Sequence, residues 1–105
     1  MILYPAMDLM GGEVVRLRQG SFDDPTSYPA DPMSALGQFA AAGARWAHVV
    51  DLDGARAGRP MQHGLIVRLA AAVPFRLQVG GGVRSREHVG RLLQAGVARV
   101  VVGSV

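Results

Sequence analysis

The sequence predicts an α/β fold in which the strands of one sheet run parallel and alternate with helices. Four short apolar runs alternate with segments that carry helix start and stop signals, and these runs lie near residues 2–8, 46–51, 75–80 and 99–103. Consecutive strands separated by a helix pair in parallel through right-handed crossovers. The segments 42–50 and 95–103 also resemble each other at an offset of 53 residues, which suggests a repeated two-strand unit, although such joints can match by chance.

Composition limits the class of protein. The chain has 105 residues, half of them apolar, which allows one domain with a modest core, and it contains no cysteine for disulfides or thiolate metal sites. The net charge is +3 and the 11 basic residues, all arginines, are scattered, so we expect a small anionic substrate and no nucleic-acid partner. We find no apolar run of about 18 residues that would span a membrane and no basic start of a signal peptide. We therefore expect a cytoplasmic protein that does not bind membranes.

The first part of the chain predicts a strand, a hairpin and a long loop. Residues 2–8 form an apolar run, although Pro5 within it cannot donate to a ladder. A Gly-Gly pair then predicts a turn into a small extra strand or hairpin over 13–18. Residues 19–30 are polar and rich in turn-forming types, and a loop of this length in a compact domain is usually functional or mobile.

The remaining elements follow from capping signals and apolar runs. Asp31-Pro32 predicts the start of a helix that ends at Gly43, and Ser85 predicts the start of another that runs to Ala95. The other predicted elements are strands over 46–50, 75–79 and 99–102, a helix over 61–72 and a loop over 54–60.

The stretch from Leu77 to Ser85 contains the strongest local signal for a binding site. Three glycines follow an apolar run and precede a helix start, so backbone N–H groups can turn toward an anion near the positive end of the helix dipole. A second strand ends in Gly103-Ser104, and neighbouring parallel strands place such ends side by side. We therefore predict an anion site suited to phosphate, with a tight turn that binds no ligand as the alternative.

Several motifs together resemble the HisA family of histidine-biosynthesis isomerases. They run in family order through essentially the whole chain: Pro-Ala-Met-Asp8-Leu, Val-Val-Arg16-Leu, Gln19-Gly20, His48-Val-Val-Asp51-Leu-Asp53, Gln78-Val-Gly-Gly-Gly-Val-Arg84 and Val-Gly103-Ser104. The resemblance implies that residues 1–105 form a single N-terminal half-barrel, the (βα)₄ half of a TIM (βα)₈ barrel with parallel strands. It also implies an Amadori rearrangement by acid/base chemistry, from the aminoaldose ProFAR, a small-molecule bisphosphate, to the aminoketose PRFAR, with no cofactor and no metal.

The same resemblance implies roles for individual residues. Asp8 matches the family's catalytic base at the end of the first strand, whereas the second carboxylate belongs to a strand outside this chain. An aspartate at a strand end can also merely cap the next turn. Gln62 stands where the family usually has asparagine. The positions that match substrate- or phosphate-binding residues are Arg16, Gln19, Gly20, His48, Asp51, Gly81, Gly82, Arg84, Gly103 and Ser104.

Other side chains are expected to be structural or solvent-facing. We expect Asp53 to cap the loop that follows it, and His63 and His88 to face solvent on helix surfaces. Trp46 and the methionines are expected in the core. A histidine that begins an apolar strand, as His48 does, is as often a hydrogen-bonded core residue as a ligand contact.

Three other functions and several assembly states remain open at this point. The sister cyclase of imidazole glycerol phosphate synthase shares the half-barrel and its aspartate, but typically has cysteine and lysine where this chain has Ala6 and Arg16. The others are a dual isomerase that also serves tryptophan synthesis and a non-catalytic phosphate-binding half-barrel. A half-barrel leaves two open sheet edges, which favour self-association. Two copies could close an eight-stranded barrel, and without such pairing we expect the chain alone to be inactive.

Overall fold

The computed structural model describes residues 5–19 and 30–102, except the side chains of residues 18 and 19, and shows one sheet with helices packed on it. The strands are β1 (Pro5–Met10), β2 (Glu13–Gln19), β3 (Trp46–Asp51), β4 (Arg76–Gly80) and β5 (Arg99–Val100). The helices are α1 (Pro32–Ala41), α2 (Leu52–Ala57), α3 (His63–Ala72) and α4 (Arg86–Gln94). None of these helices is long and apolar enough to cross a membrane.

The sheet confirms the predicted α/β arrangement. Its strand order is β2-β1-β3-β4-β5, and the pairs β1–β3, β3–β4 and β4–β5 are parallel. β2 pairs antiparallel with β1, which confirms the predicted hairpin. Within the described part of the chain the sheet is open, with β2 and β5 as its two edge strands, in agreement with the expectation of two open edges.

One face of the sheet forms the core together with the helices. Alternate side chains of β1, β3 and β4 are buried on this face: Met7, Leu9, Ala47, Val49, Leu77 and Val79. They belong to one cluster with buried helix side chains, among them Leu36, Phe39, Ile66, Leu69 and Leu92. Because each large aliphatic side chain contributes about 1.5–3 kcal/mol when fully buried, this face supplies most of the driving force for folding.

The opposite side of the sheet remains accessible, and we call it the open face. Its residues are Ala6, Asp8, Trp46, His48, Val50, Arg76, Gln78 and Arg99, of which the arginines at 76 and 99 are exposed and the others half-buried. The strand register sets Trp46 beside Arg76, His48 beside Gln78, and Asp8 beside Val50. In a closed TIM barrel such a face lines the interior.

Two of the predicted helix starts are confirmed in detail. The Asp31 carboxylate caps α1 by accepting hydrogen bonds from the backbone N–H (3.0 Å) and the hydroxyl (2.8 Å) of Ser34. These bonds favour the ionised form and lower the pKa of Asp31. The Ser85 hydroxyl caps α4 by accepting from the N–H of His88 at 3.1 Å.

Residues 52–57 form a short helix, α2, where the sequence predicted a loop over 54–60. Its start is capped by Asp51, whose carboxylate accepts from Gly54 N–H at 2.8 Å, and it ends at Gly58 with a φ of 74°. The loop prediction holds for residues 58–60 and is wrong for residues 54–57, because these two end residues stabilise a helix that its own composition does not favour. The predicted strand residues 2–4 and 103 lie outside the described residues.

Candidate functional site

Asp8 lies on the open face of β1, beside the hairpin strand β2. Arg16 is its direct partner in the antiparallel ladder, and Arg16 Nε lies 3.8 Å from Asp8 Oδ2. Together with Ala6 and His48 these residues line a hollow of about 140 Å³. The Asp8 side chain is 22% exposed, so its carboxylate remains accessible from this hollow. The structure thus brings together three of the predicted site residues: Asp8, Arg16 and His48.

His48 lies in the next row of the open face, where Gln78 orients it. The two residues are partners in the β3–β4 ladder, and Gln78 Nε2 lies 3.1 Å from His48 Nδ1. An amide that donates to Nδ1 leaves the proton of the neutral imidazole on Nε2. Burial lowers the pKa of His48 because it disfavours the charged ring, and the negative charge of Asp8 opposes this only in part. His48 is therefore a neutral polar group at neutral pH.

Asp51 carries a buried charged side chain, of which only 1% of the surface is exposed. Its carboxylate accepts from the backbone N–H groups of Gly54 (2.8 Å), Met61 (2.8 Å) and Gln62 (2.9 Å), and from the Gln62 amide (2.8 Å). The predicted substrate contact of Asp51 therefore needs correction, because four internal donors occupy the carboxylate and no surface is left for a ligand. Asp51 instead fixes the connection from β3 through α2 to α3.

Gln62 joins three parts of the chain, a role that the sequence did not predict. Its Nε2 donates to the Leu9 carbonyl (3.0 Å) and to Asp51 (2.8 Å), while its Oε1 accepts from Gly12 N–H (2.9 Å). The sequence contained one indication of this role, because the resembling family usually has asparagine, another amide, at this position.

Asp53 also binds the hairpin turn. Its Oδ2 accepts a hydrogen bond from the N–H of residue 11 at 2.7 Å, so the expectation that Asp53 caps the following loop was wrong.

Gly81 and Gly82 lie where the chain leaves β4, and both have positive φ, 103° and 78°. A Cβ atom on Gly81 would overlap the carbonyl oxygen of Asp51 and lie 2.8 Å from its backbone nitrogen, and one on Gly82 would meet the backbone of the α2 segment. Packing of backbone against backbone thus requires glycine here with or without a ligand. Their phosphate contact stays a prediction, and Gly103 and Ser104, its other predicted part, lie outside the described residues.

Arg84 follows the glycine turn, just before α4. Its backbone N–H donates to His88 Nδ1 at 3.2 Å, and its guanidinium lies against Gly58, where a Cβ would come within 2.6 Å of Nη1. Arg84 also lines an open hollow of about 420 Å³ with Ser85, Arg86, Val89, Gly90 and Val102. The expectation that His63 and His88 face solvent holds in part, because both are half-buried and line a hollow that is open to solvent.

The two predicted loop residues before the first helix cannot be placed in the site. The backbone of Gln19 pairs with Pro5 at the end of the hairpin, and Gly20 lies outside the described residues, as does the rest of the predicted loop to residue 29. Within residues 5–19 and 30–102, no group of three His, Asp or Glu side chains is arranged to hold a metal ion.

Trp46 lies on the open face and not in the core, contrary to expectation. The guanidinium carbons of Arg76 and Arg99 are 5.4 and 5.3 Å from its ring centroid, within the range of cation–π contacts. Beside it lies a hollow of about 340 Å³, lined also by Pro5, Ala47, His48, Gln78 and Arg99. Burial alternates along β3, so residues two positions apart share a face of the sheet. The position of Trp46, two residues before His48, therefore indicates the open face.

Comparison with known proteins gives a consistent result along the whole chain. The family model described as histidine biosynthesis protein matches residues 2–105. A curated relative from Thermomicrobium roseum is 55% identical over 99% of this chain and 43% of its own length. Relatives from Maricaulis maris and Brevibacillus brevis are 53% and 45% identical, over 100% and 98% of this chain and 43% and 41% of their own length.

The three relatives carry one name, 1-(5-phosphoribosyl)-5-((5-phosphoribosylamino)methylideneamino)imidazole-4-carboxamide isomerase. The chain spans less than half their length, and the region that it matches is their N-terminal part.

Proposed function

The chain belongs to the histidine biosynthesis protein family, and on this premise we propose that it forms the N-terminal half-barrel of an isomerase of that pathway. The family has the TIM-barrel fold, of which this chain represents a part. The proposed substrate is ProFAR, a small-molecule bisphosphate, and the proposed product is PRFAR. The names of the relatives favour this isomerase over the sister cyclase.

The proposed reaction moves hydrogen within one molecule. An acid protonates the ribose ring oxygen so that the ring opens, and a base removes the proton from the neighbouring carbon. Returning a proton to the resulting enol-type intermediate gives the aminoketose, with the same atoms as the aminoaldose. Proton transfers account for the whole conversion, so we propose no cofactor.

The position of Asp8 is the observation that carries this proposal. Its carboxylate is partly exposed in a hollow of the open face and lies 3.8 Å from Arg16, so a substrate that binds in this hollow can reach it. His48, neutral and with its proton on Nε2, can donate a hydrogen bond to a substrate oxygen beside the base. We propose that the acid comes from the part of the barrel outside this chain.

We propose that one phosphate of the substrate lies beyond β4, at the start of α4. The positive charge of Arg84 and the N-terminal end of α4 favour an anion there. Gly81 and Gly82 allow close approach to the backbone. Contacts from Gly103, Ser104, Gln19 and Gly20 rest on the resemblance alone.

Residues 1–105 can be tested in place of the aligned region of the Thermomicrobium roseum relative. We expect this chimaera to isomerise ProFAR, and Asp8→Asn to lower kcat by about 10²–10⁴-fold with substrate binding retained, because the amide keeps the shape but cannot accept the proton. Asp53→Asn is the matched control, since that carboxylate binds the hairpin turn. An Asp8→Asn chimaera with the kcat of the control would contradict the proposal.

The isolated chain tests the proposals on assembly. We propose that it is inactive as a monomer and that any activity depends on self-association through the free edge of β5. Activity per molecule that rises with protein concentration supports self-association. Activity per molecule that stays constant as the concentration rises contradicts it. The proposed location is the cytoplasm, because the proposed substrate is a phosphorylated metabolite.

A further inference from the structure

A hollow on the helix side of the molecule is lined mainly by basic side chains. It has a volume of about 180 Å³ and lies between the segment that begins α3 and the first turns of α4. The lining residues are Arg59, Pro60, His63, His88 and Arg91. They are distinct from the residues that line the hollows of Asp8 and Arg84. We call this site the outer hollow.

The basic side chains of the outer hollow differ in exposure. His63 and His88 are half-buried, whereas Arg59 and Arg91 are exposed. The surrounding helices hold the two imidazole rings in place, and the two guanidinium groups can approach a ligand from the solvent side. This combination of fixed donors and adjustable cations suits a small anion.

His88 is oriented by a backbone group. Its Nδ1 accepts a hydrogen bond from the N–H of Arg84 at 3.2 Å, so the neutral ring carries its proton on Nε2. The Nε2–H group is therefore the donor that His88 can offer to a ligand in the outer hollow.

One carboxylate lies close to the outer hollow. Glu87 Oε1 is 3.6 Å from Arg91 Nη2, one turn further along α4, and the two side chains are 74% and 63% exposed. An exposed pair of this kind changes an equilibrium only about twofold. A phosphate dianion can compete with Glu87 for Arg91, because a guanidinium binds phosphate oxygens through two parallel hydrogen bonds.

The start of α3 adds to the positive potential of the four side chains. The helix begins at His63, and its N-cap residue, Gln62, makes no side-chain cap bond because its amide binds Leu9 and Asp51 instead. The first N–H groups of α3 therefore retain their partial positive charge beside the outer hollow.

We propose that the outer hollow binds a phosphate group, either of inorganic phosphate or of a phosphate monoester. A water molecule needs about 10–15 Å³ of such space, so the hollow has room for this anion. All of its lining residues belong to this chain, and helices form the outer ring of a TIM barrel, so the site does not require a further segment. The proposal does not depend on the proposed isomerase activity.

NMR of the histidine ring signals tests the proposal on the 105-residue chain. The chain has three histidines: His63 and His88 line the outer hollow, and His48 lies on the open face. The variant His48→Asn identifies the His48 signal and leaves the other two for the site. We expect inorganic phosphate, added at constant pH and ionic strength, to shift both of these signals with a single Kd of about 1 mM or lower.

A second titration, with ribose 5-phosphate, distinguishes the two sources of the phosphate group. A lower Kd for the ester assigns the outer hollow to phosphorylated metabolites. A lower Kd for inorganic phosphate assigns it to the free ion.

Charge variants test the chemistry of the site. Arg59→Gln combined with Arg91→Gln is expected to raise the Kd at least about tenfold, because two charge-assisted contacts are lost. Arg56→Gln combined with Arg68→Gln is the matched control, since it removes the same charge from exposed helix positions, and is expected to change the Kd less than about twofold. Arg84→Gln keeps the backbone N–H that binds the histidine of α4, and it should leave both shifts in place.

Three results would overturn the proposal: shifts that are absent or do not saturate below about 10 mM phosphate, equal shifts with chloride at the same ionic strength, or a tenfold effect of either control. Circular dichroism checks that each variant is folded. If the double variant does not fold, the single variants Arg59→Gln and Arg91→Gln decide. Each is then expected to raise the Kd about threefold, and an unchanged Kd in both contradicts the proposal.

Discussion

Replacing Gly81 by alanine tests whether packing requires the glycine turn after β4. Gly81 has a φ of 103°, and a Cβ there would overlap the backbone of Asp51. Gly96 has nearly the same φ, 101°, but nothing lies within 4 Å of the place that its Cβ would take. Both variants therefore share the backbone strain, about 1–3 kcal/mol, and the lower entropy of the unfolded chain. Gly81→Ala alone must also displace backbone, which adds about 1–3 kcal/mol or more.

Urea unfolding followed by circular dichroism measures the difference. We expect Gly81→Ala to lower the free energy of unfolding by about 2 kcal/mol more than Gly96→Ala, at an unchanged m-value. Gly80→Ala is a second control, because its Cβ would lie 3.4 Å from Val101 Cβ, an ordinary contact; we expect a loss below about 1 kcal/mol. Equal losses for Gly81→Ala and Gly96→Ala would refute the packing explanation and leave ligand access as the reason for the glycines.

Two further predictions concern Asp51 and His48. Asp51→Asn removes the charge that four hydrogen-bond donors share, so we expect it to lower the free energy of unfolding in urea by about 3–5 kcal/mol. For Asp53→Asn we expect a decrease of less than about 1 kcal/mol. Comparable decreases in the two variants would contradict the structural role of Asp51. Since the pKa of His48 is lowered from 6.5, the unfolded chain takes up this proton at a higher pH than the folded protein, and stability is lost as the pH falls below 6.5. His48→Asn should flatten the dependence of the unfolding free energy on pH between about 5 and 7, and an unchanged slope would show that another group is responsible.

The order of the elements could be predicted because its signals are local. The starts of α1 and α4 depend on Asp31 and Ser85, which bind N–H groups within one turn, and the structure shows both caps. Helix α2 could not be predicted in this way. Its start depends on Asp51, and the Asp51 carboxylate is itself held by donors ten and eleven residues further along the chain. Contacts over such distances leave no periodic pattern in a sequence.

Within the site, strand alternation was a better guide than residue chemistry. Burial alternates strictly along β3, so Trp46 and His48 share the open face while Asp51 points toward the helices. The aromatic character of Trp46 suggested the core, and the family resemblance suggested a substrate contact for Asp51. Both suggestions were wrong because tertiary partners decide the outcome: two arginines accompany Trp46, and four donors satisfy Asp51.

Asp8 is held in place by residues that the sequence did not identify as ligand-binding. Asp51 is the exception among them. The ladder between β1 and β2 shifts register directly after Asp8, and the carbonyl of the next residue, Leu9, accepts a hydrogen bond from Gln62. The same amide binds Asp51 and the N–H of Gly12, so one side chain ties β1, the hairpin turn and the end of β3 together. In the proposed isomerase these contacts hold the base at the carboxyl ends of the strands. The contacts that position the proposed base therefore lie within this chain and do not require the rest of the barrel.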